Sequence, residues 1–230
     1  MHGNSHQHPQ SAKSDLPSTQ GHVLNMGWRY DLLLWFMNLQ SRGELKLAQR
    51  KIMDLAQFQP GEAVLDVGCG TGSMTQLIGQ RVGVTGKIYG LDPGPKQIAR
   101  AQAKANQLGL SITYQVGVIE HLPYPDQSFD AVLSTFMMHV LPDDLKQQGL
   151  AEIVRVLKPR GRVIIVDFKR PESSAQPSEK PEHTGPWKSG VQDQPGFLQA
   201  AGFSGIESGE IATRSHKLPE IGYAIGSHLI

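Results

Sequence analysis

The chain has 230 residues, enough for one α/β domain with a full core, and its formal net charge of +1 offers no global electrostatic case for a nucleic-acid partner. A single cysteine excludes an internal disulfide and fits a reducing, cytoplasmic setting. The longest apolar run, Leu32 to Met37, is far shorter than the roughly 20 residues a bilayer span requires, so no transmembrane segment is expected.

Residues 1–22 have no apolar signal core and no Arg-rich amphipathic pattern, and read as a disordered tail. Their histidines (His2, His6, His8 and His22) are irregularly spaced, so no metal site is expected. Residues 23–58 read as an N-terminal helical lid with helices over 29–39 and 44–58. In the second, Leu45, Ala48, Ile52, Leu55 and Ala56 recur at helical spacing. Pro60-Gly61 then turns the chain into a domain over 59–230. Strands are expected at 63–67, 87–91, 112–116, 130–134 and 162–168. Helices are expected at 72–80, 94–108 and 143–157, with Pro159-Arg160-Gly161 as a turn. Residues 169–190, rich in Pro, Ser, Glu and Lys, read as a flexible insertion. A short helix at 194–201 and candidate strands at 205–211 and 221–230 close the chain. Such alternation predicts a doubly wound, mainly parallel sheet with helices on both faces and its ligand at the carboxyl ends of the strands.

The run Val64-Leu65-Asp66-Val67-Gly68-Cys69-Gly70-Thr71-Gly72 is the most informative segment. A buried strand ends near a carboxylate, and three alternate glycines form a turn that no side chain obstructs before a helix begins. A dinucleotide site would carry G-x-G-x-x-G, seating a pyrophosphate on the helix N-terminus. The spacing here is G-x-G-x-G, which suits a nucleoside ligand without phosphate, S-adenosylmethionine rather than NAD.

Four segments together, 64–75, Asp92, 120–130 and 152–167, resemble the class I S-adenosylmethionine-dependent methyltransferases, in the group that includes quinone-biosynthesis C-methyltransferases. The resemblance spans about 28–168, and 196–212 looks like that group's last helix and strand. It implies a Rossmann-like sheet of seven strands, mostly parallel with the last antiparallel, where periodicity alone secures five. It implies that Asp66 serves the cofactor's ammonium end, directly or through water. Gly68, Cys69, Gly70, Thr71 and Gly72 would lie against the methionine and ribose portions, and Asp92, followed by Pro93, would accept the ribose hydroxyls. Val118, Ile119 and Glu120 would meet adenine, the Ser134 backbone would face the methionine end, and Tyr30 would approach it from the lid. Val118 departs from the family, where an acid often stands.

On the acceptor side, His139 lies just past the fourth expected strand, as a general base or as a packing residue of a short helix. His121 reads as structural or surface. Cys69 reads as a small packed residue rather than a nucleophile, and Lys158 and Arg160 as solvated. Trp28, Tyr30, Trp35 and Phe36 concentrate aromatic surface in the first helix, as a lid over an apolar acceptor, as plain packing or as a peripheral membrane contact. The Gly-x-Arg-Asn stretch of quinone enzymes is replaced by Ser134 to Val140, so the resemblance does not extend to a quinone acceptor. The expected reaction is methyl transfer to a small apolar or aromatic acceptor. The alternatives are a cofactor-binding protein without turnover and an NAD(P)-linked oxidoreductase. The acceptor's identity and the oligomeric state are not legible.

Overall fold

The computed structural model describes residues 19, 21–170, 189–214 and 218–228. His2, His6, His8 and most of the 169–190 insertion lie outside the described residues.

Two helices, α1 (Trp28–Gln40) and α2 (Glu44–Ala56), precede a seven-stranded sheet. The strands are β1 (Ala63–Val67), β2 (Lys87–Asp92), β3 (Ile112–Val116), β4 (Phe129–Thr135), β5 (Leu157–Phe168), β6 (Ser204–Ile211) and β7 (Ile221–Ser227). The intervening helices are α3 (Ser73–Val82), α4 (Pro95–Gln107), α5 (Asp143–Val156) and α6 (Gln194–Ala200). The spatial order is β3-β2-β1-β4-β5-β7-β6. The first five strands in that order run parallel, and β7 is antiparallel to both of its neighbours. The chain therefore winds outward from β1 in one direction through β2 and β3, then returns to the other side of β1 as β4. The ends of β1 and β4 form the switch point where a ligand cleft opens in this architecture.

Period-two alternation assigns the central strands to two cores. Leu65, Val132, Val163 and Ile165 face α5 and α6, where they meet Leu150, Ile153 and Leu198. Val64, Leu133, Ile164 and Val166 face α2 and α3, against Ile52, Met53, Met74 and Ile78. The second core explains α2: its Ala48, Ile52, Met53 and Ala56 are buried, whereas α1 buries no residue.

Two expectations are corrected at β5. Pro159-Arg160-Gly161 is not a turn before the strand but part of it. Leu157 already pairs with Phe129, and the register shifts between Phe129 and Ala131. A bulge absorbs the extra residues, with Arg160 at φ 65° donating its N–H to the His228 carbonyl at 2.6 Å. Lys158 is not simply solvated: its ammonium is 2.7 Å from Asp130 Oδ2, which also accepts the Ala63 N–H.

Candidate cofactor and acceptor site

The glycine turn joins β1 to α3 through left-handed backbone. At Gly68, φ 73°, an added Cβ would stand 2.6 Å from Met137 Cγ; at Gly72, φ 77°, it would collide with the Tyr114 hydroxyl. Only glycine combines that backbone conformation with so close an approach. The turn is tied to the end of β2: Gly68 and Cys69 donate to the Leu91 carbonyl, and Gly70 N–H donates to Asp92 Oδ2 at 2.9 Å.

Asp92 accepts the Gly94 N–H through Oδ1 at 2.8 Å. Each carboxylate oxygen keeps a further lone pair for a hydroxyl donor. Burial pushes the Asp92 carboxyl up to about 6 against those two N–H bonds. Asp66 is fully buried, and burial, with help from the Asp92 charge, lifts it to about 7 against the Thr75 hydroxyl, which donates to Oδ2 at 2.6 Å. Its Oδ1 has no hydrogen-bond partner. Two buried acids therefore stand close to the turn, and the fully buried one, Asp66, carries an unsatisfied oxygen. Burial and the neighbouring Asp66 and Asp92 push the Cys69 thiol well up, which keeps it protonated.

A cavity of about 310 Å³ opens over this turn. Gly68, Gly70, Asp92 and Pro93 form one side of it, and Thr135, Phe136, Met137 and His139, at the end of β4, another. Tyr30, Leu33, Leu34 and Met37 of α1 make the roof, and Phe168, Leu218 and Ile221 complete an apolar wall. Phe136 holds φ 55°, unusual for a bulky side chain, and stacks on Phe168 with centroids 4.8 Å apart. A narrower recess reaches Cys69 and Thr71. A separate cavity of about 40 Å³ is lined by Val118, Ile119 and Glu120 from one side and by Thr19, Gly21 and His22 from the other. That is room for one or two water molecules, not for a purine.

The structure thus gathers Tyr30, Gly68, Gly70, Asp92, Pro93 and His139 around one cavity, with Val118, Ile119 and Glu120 beside it. It leaves three expected residues off these surfaces. Asp66 lies behind the turn, Gly72 packs against Tyr114, and the Ser134 side chain is buried inside β4 with its hydroxyl unpartnered.

Two residues without an expected role prove central. Asp167, fully buried near the end of β5, sits with Oδ1 2.6 Å from His139 Nδ1 and accepts the His139 backbone N–H through Oδ2 at 2.9 Å. A carboxylate there favours a proton on Nδ1 and fixes the orientation of the ring. Its signal was an acid ending an otherwise apolar strand, the pattern already noticed at Asp66. Asp31 accepts from the Thr71 hydroxyl at 2.6 Å, Arg100 at 2.6 Å and Lys104 at 3.1 Å. Burial opposes its ionisation, but these three donors together hold it below the usual carboxylate range. Asp31 thereby clamps α1 to the glycine turn and to α4. Upstream, Gly27 donates to buried Gln97 at 2.7 Å, and Asn25 accepts the Lys96 N–H in the first turn of α4 at 2.8 Å.

Strand order, glycine turn and acid-tipped strands define a Rossmann-like α/β protein with its cleft at the switch point where this architecture takes ligands. A family profile described as "Methyltransferase domain" matches residues 64–161. Demethylmenaquinone methyltransferase of Symbiobacterium thermophilum is 35% identical over 137 residues, covering 59% of this chain and 54% of the relative. The ubiquinone/menaquinone biosynthesis C-methyltransferase UbiE of Hahella chejuensis is 34% identical over 145 residues, covering 62% and 56%. The chain thus spans little more than half the length of these curated relatives. Among solved structures, a SAM dependent methyltransferase from Aquifex aeolicus superimposes with TM-score 0.62 at 25% identity, covering 78% of this chain and 89% of that one. The [4+2]-cyclase SpnF shares the fold, with TM-score 0.67 at 20% identity over 79% and 80% of the two chains. The chain carries a class I S-adenosylmethionine-dependent methyltransferase domain, related at moderate identity to the quinone methyltransferases.

Proposed function

We propose that this chain transfers a methyl group from S-adenosylmethionine to a small apolar or aromatic acceptor that gives up a proton, releasing S-adenosylhomocysteine. The observation that carries the reading is the meeting of the glycine turn, Asp92 and the His139–Asp167 pair in one largely apolar cavity. The bound cofactor supplies an electrophilic methyl on a sulfonium. Gly68 and Gly70 would let its methionine portion lie on bare backbone, Asp92 would accept the ribose hydroxyls, and Asp66, buried behind the turn, would act on its ammonium through water or through its charge rather than by direct contact. Val118 and Ile119 would flank adenine, which requires that Thr19, Gly21 and His22 yield.

His139 Nε2 would take the acceptor's proton, while Asp167 fixes the tautomer and steadies the imidazolium. Phe136, Phe168 and Leu34 exclude water from the nucleophile and fit a flat apolar ring. Helix α1 serves as the lid, and a reducing, cytoplasmic setting belongs to this reading. The named activity of the S. thermophilum relative makes demethylmenaquinone a first acceptor to try, beside simple phenols. A second reading, cofactor binding without turnover, is favoured by the narrowness of the cavity at Val118.

The test is methylation of that acceptor panel by the intact protein, followed by His139→Ala and Asp167→Asn. His139→Ala should lower kcat about 10²- to 10⁴-fold, with cofactor affinity unchanged. Asp167→Asn should lower it less and alter its pH profile. Cofactor binding with no methylated product would establish the second reading. Lost affinity with intact turnover per bound cofactor would make His139 a packing residue.

A further inference from the structure

Helix α1 has apolar side chains on nearly every face, a pattern that belongs to buried helices, yet none of its residues is buried. Its inner face is accounted for, because Leu34 and Met37 roof the cavity. Its outer face is not. Trp28, Leu32, Trp35, Phe36 and Leu39 follow one helical stripe and are 61%, 53%, 60%, 50% and 60% exposed. Just upstream, Val23, Leu24 and Met26 are also exposed.

We propose that this stripe docks on an anionic phospholipid surface, with α1 lying in the interface rather than across it. No helix among the described residues is long and apolar enough to cross a membrane. The charges argue for lipid. Residues 21–50 hold four basic side chains (Arg29, Arg42, Lys46 and Arg50) against two acidic ones, Asp31 and Glu44. Asp31 is occupied by its three internal donors, and Glu44 accepts the Arg214 N–H. At the N-terminal end of the stripe, Arg29 and Lys96 border an open groove beside Trp28, with no carboxylate in ion-pair contact with either among the described residues. The Arg29 guanidinium lies over the Trp28 ring at 5.9 Å. A tryptophan with cations beside it is the arrangement that seats a helix at the level of phosphate headgroups.

Size argues against a second copy of the chain. A helix of 13 residues is about 20 Å long, and its stripe alone falls short of the roughly 800 Å² per partner of a stable interface. Docked this way, the roofed cavity would stand next to the bilayer, where an apolar acceptor concentrates. That consequence rests on the proposed methyl transfer; the docking itself does not.

The experiment is co-sedimentation of the full chain with phosphatidylcholine vesicles, with and without phosphatidylglycerol. Binding should require the anionic lipid and weaken with salt. Trp35→Ser with Phe36→Ser, neither of which lines the cavity, should lower partitioning about tenfold or more while leaving thermal stability and S-adenosylmethionine affinity in place. Arg29→Glu with Lys96→Glu should lower it about fivefold or more for each charge. Absence of binding to anionic vesicles would overturn the proposal, as would binding indifferent to the Trp35/Phe36 pair. A dimer in light scattering that the same pair dissolves, without vesicle binding, would assign the stripe to a second copy instead.

Discussion

Raising the pH from 5.5 to 7.0 should tighten S-adenosylmethionine binding, because two buried acids must lose protons to receive it. Asp66 titrates at about 7 and Asp92 at about 6, and a ligand that is cationic at one end and donates hydroxyls at the other favours both carboxylates. At pH 5.5 the unliganded site is mostly protonated at both positions. If binding demands only the Asp92 carboxylate, affinity rises about fourfold over this range; if it also demands Asp66, the gain is about sixtyfold. Linkage sets the sign in the unliganded protein too. Both acids bind protons more tightly folded than unfolded, so their contribution to stability is complete only well below pH 4 and is lost as pH climbs through about 6 and 7. The cofactor's stabilising effect should accordingly widen with pH. Calorimetric titration in buffers of different ionisation enthalpy counts the protons released, with S-adenosylhomocysteine and NADH run in parallel. Asp92→Asn should erase the smaller share of the pH effect and Asp66→Asn the larger. Affinity that stays flat from pH 5.5 to 7.0, with no protons released, would refute the placement of either acid at the ligand.

Asp31→Ala should loosen α1 from the glycine turn at a local cost of about 1–3 kcal/mol, since it strands the Thr71, Arg100 and Lys104 donors at a partly exposed site. Hydrogen exchange should show α1 opening while the sheet stays protected; unchanged protection of α1 would mean that Asp31 is no anchor. Gly72→Ala should destabilise the domain by about 2–4 kcal/mol, combining the left-handed backbone with a collision against Tyr114 and Ala101. Gly109→Ala, also left-handed at φ 64° but in open space, is the control and should cost only about 1–2 kcal/mol. Equal melting temperatures for the two variants would remove the role of close approach.

Much of this protein is legible in its sequence. Short, nearly continuous apolar runs located the central strands, because each buries both faces between helices. The spacing of Gly68, Gly70 and Gly72 behind an acid-tipped strand marked the ligand end, because only bare left-handed backbone fits there. What sequence could not supply were pairings between distant segments. That Asp167 holds His139 depends on β4 and β5 lying side by side, 28 residues apart along the chain. That Asp31 grips Thr71 depends on where α1 rests against the turn. The β5 boundary departs from the sequence expectation because Pro159 and Gly161 favour a turn locally, whereas pairing with Phe129 and the His228 contact draw them into the strand. The outward stripe of α1 was visible as composition, but composition is the same for a packed helix and a bare one. Local propensity and periodicity are written along the chain; exposure, and which polar group meets which, exist only once distant segments have packed.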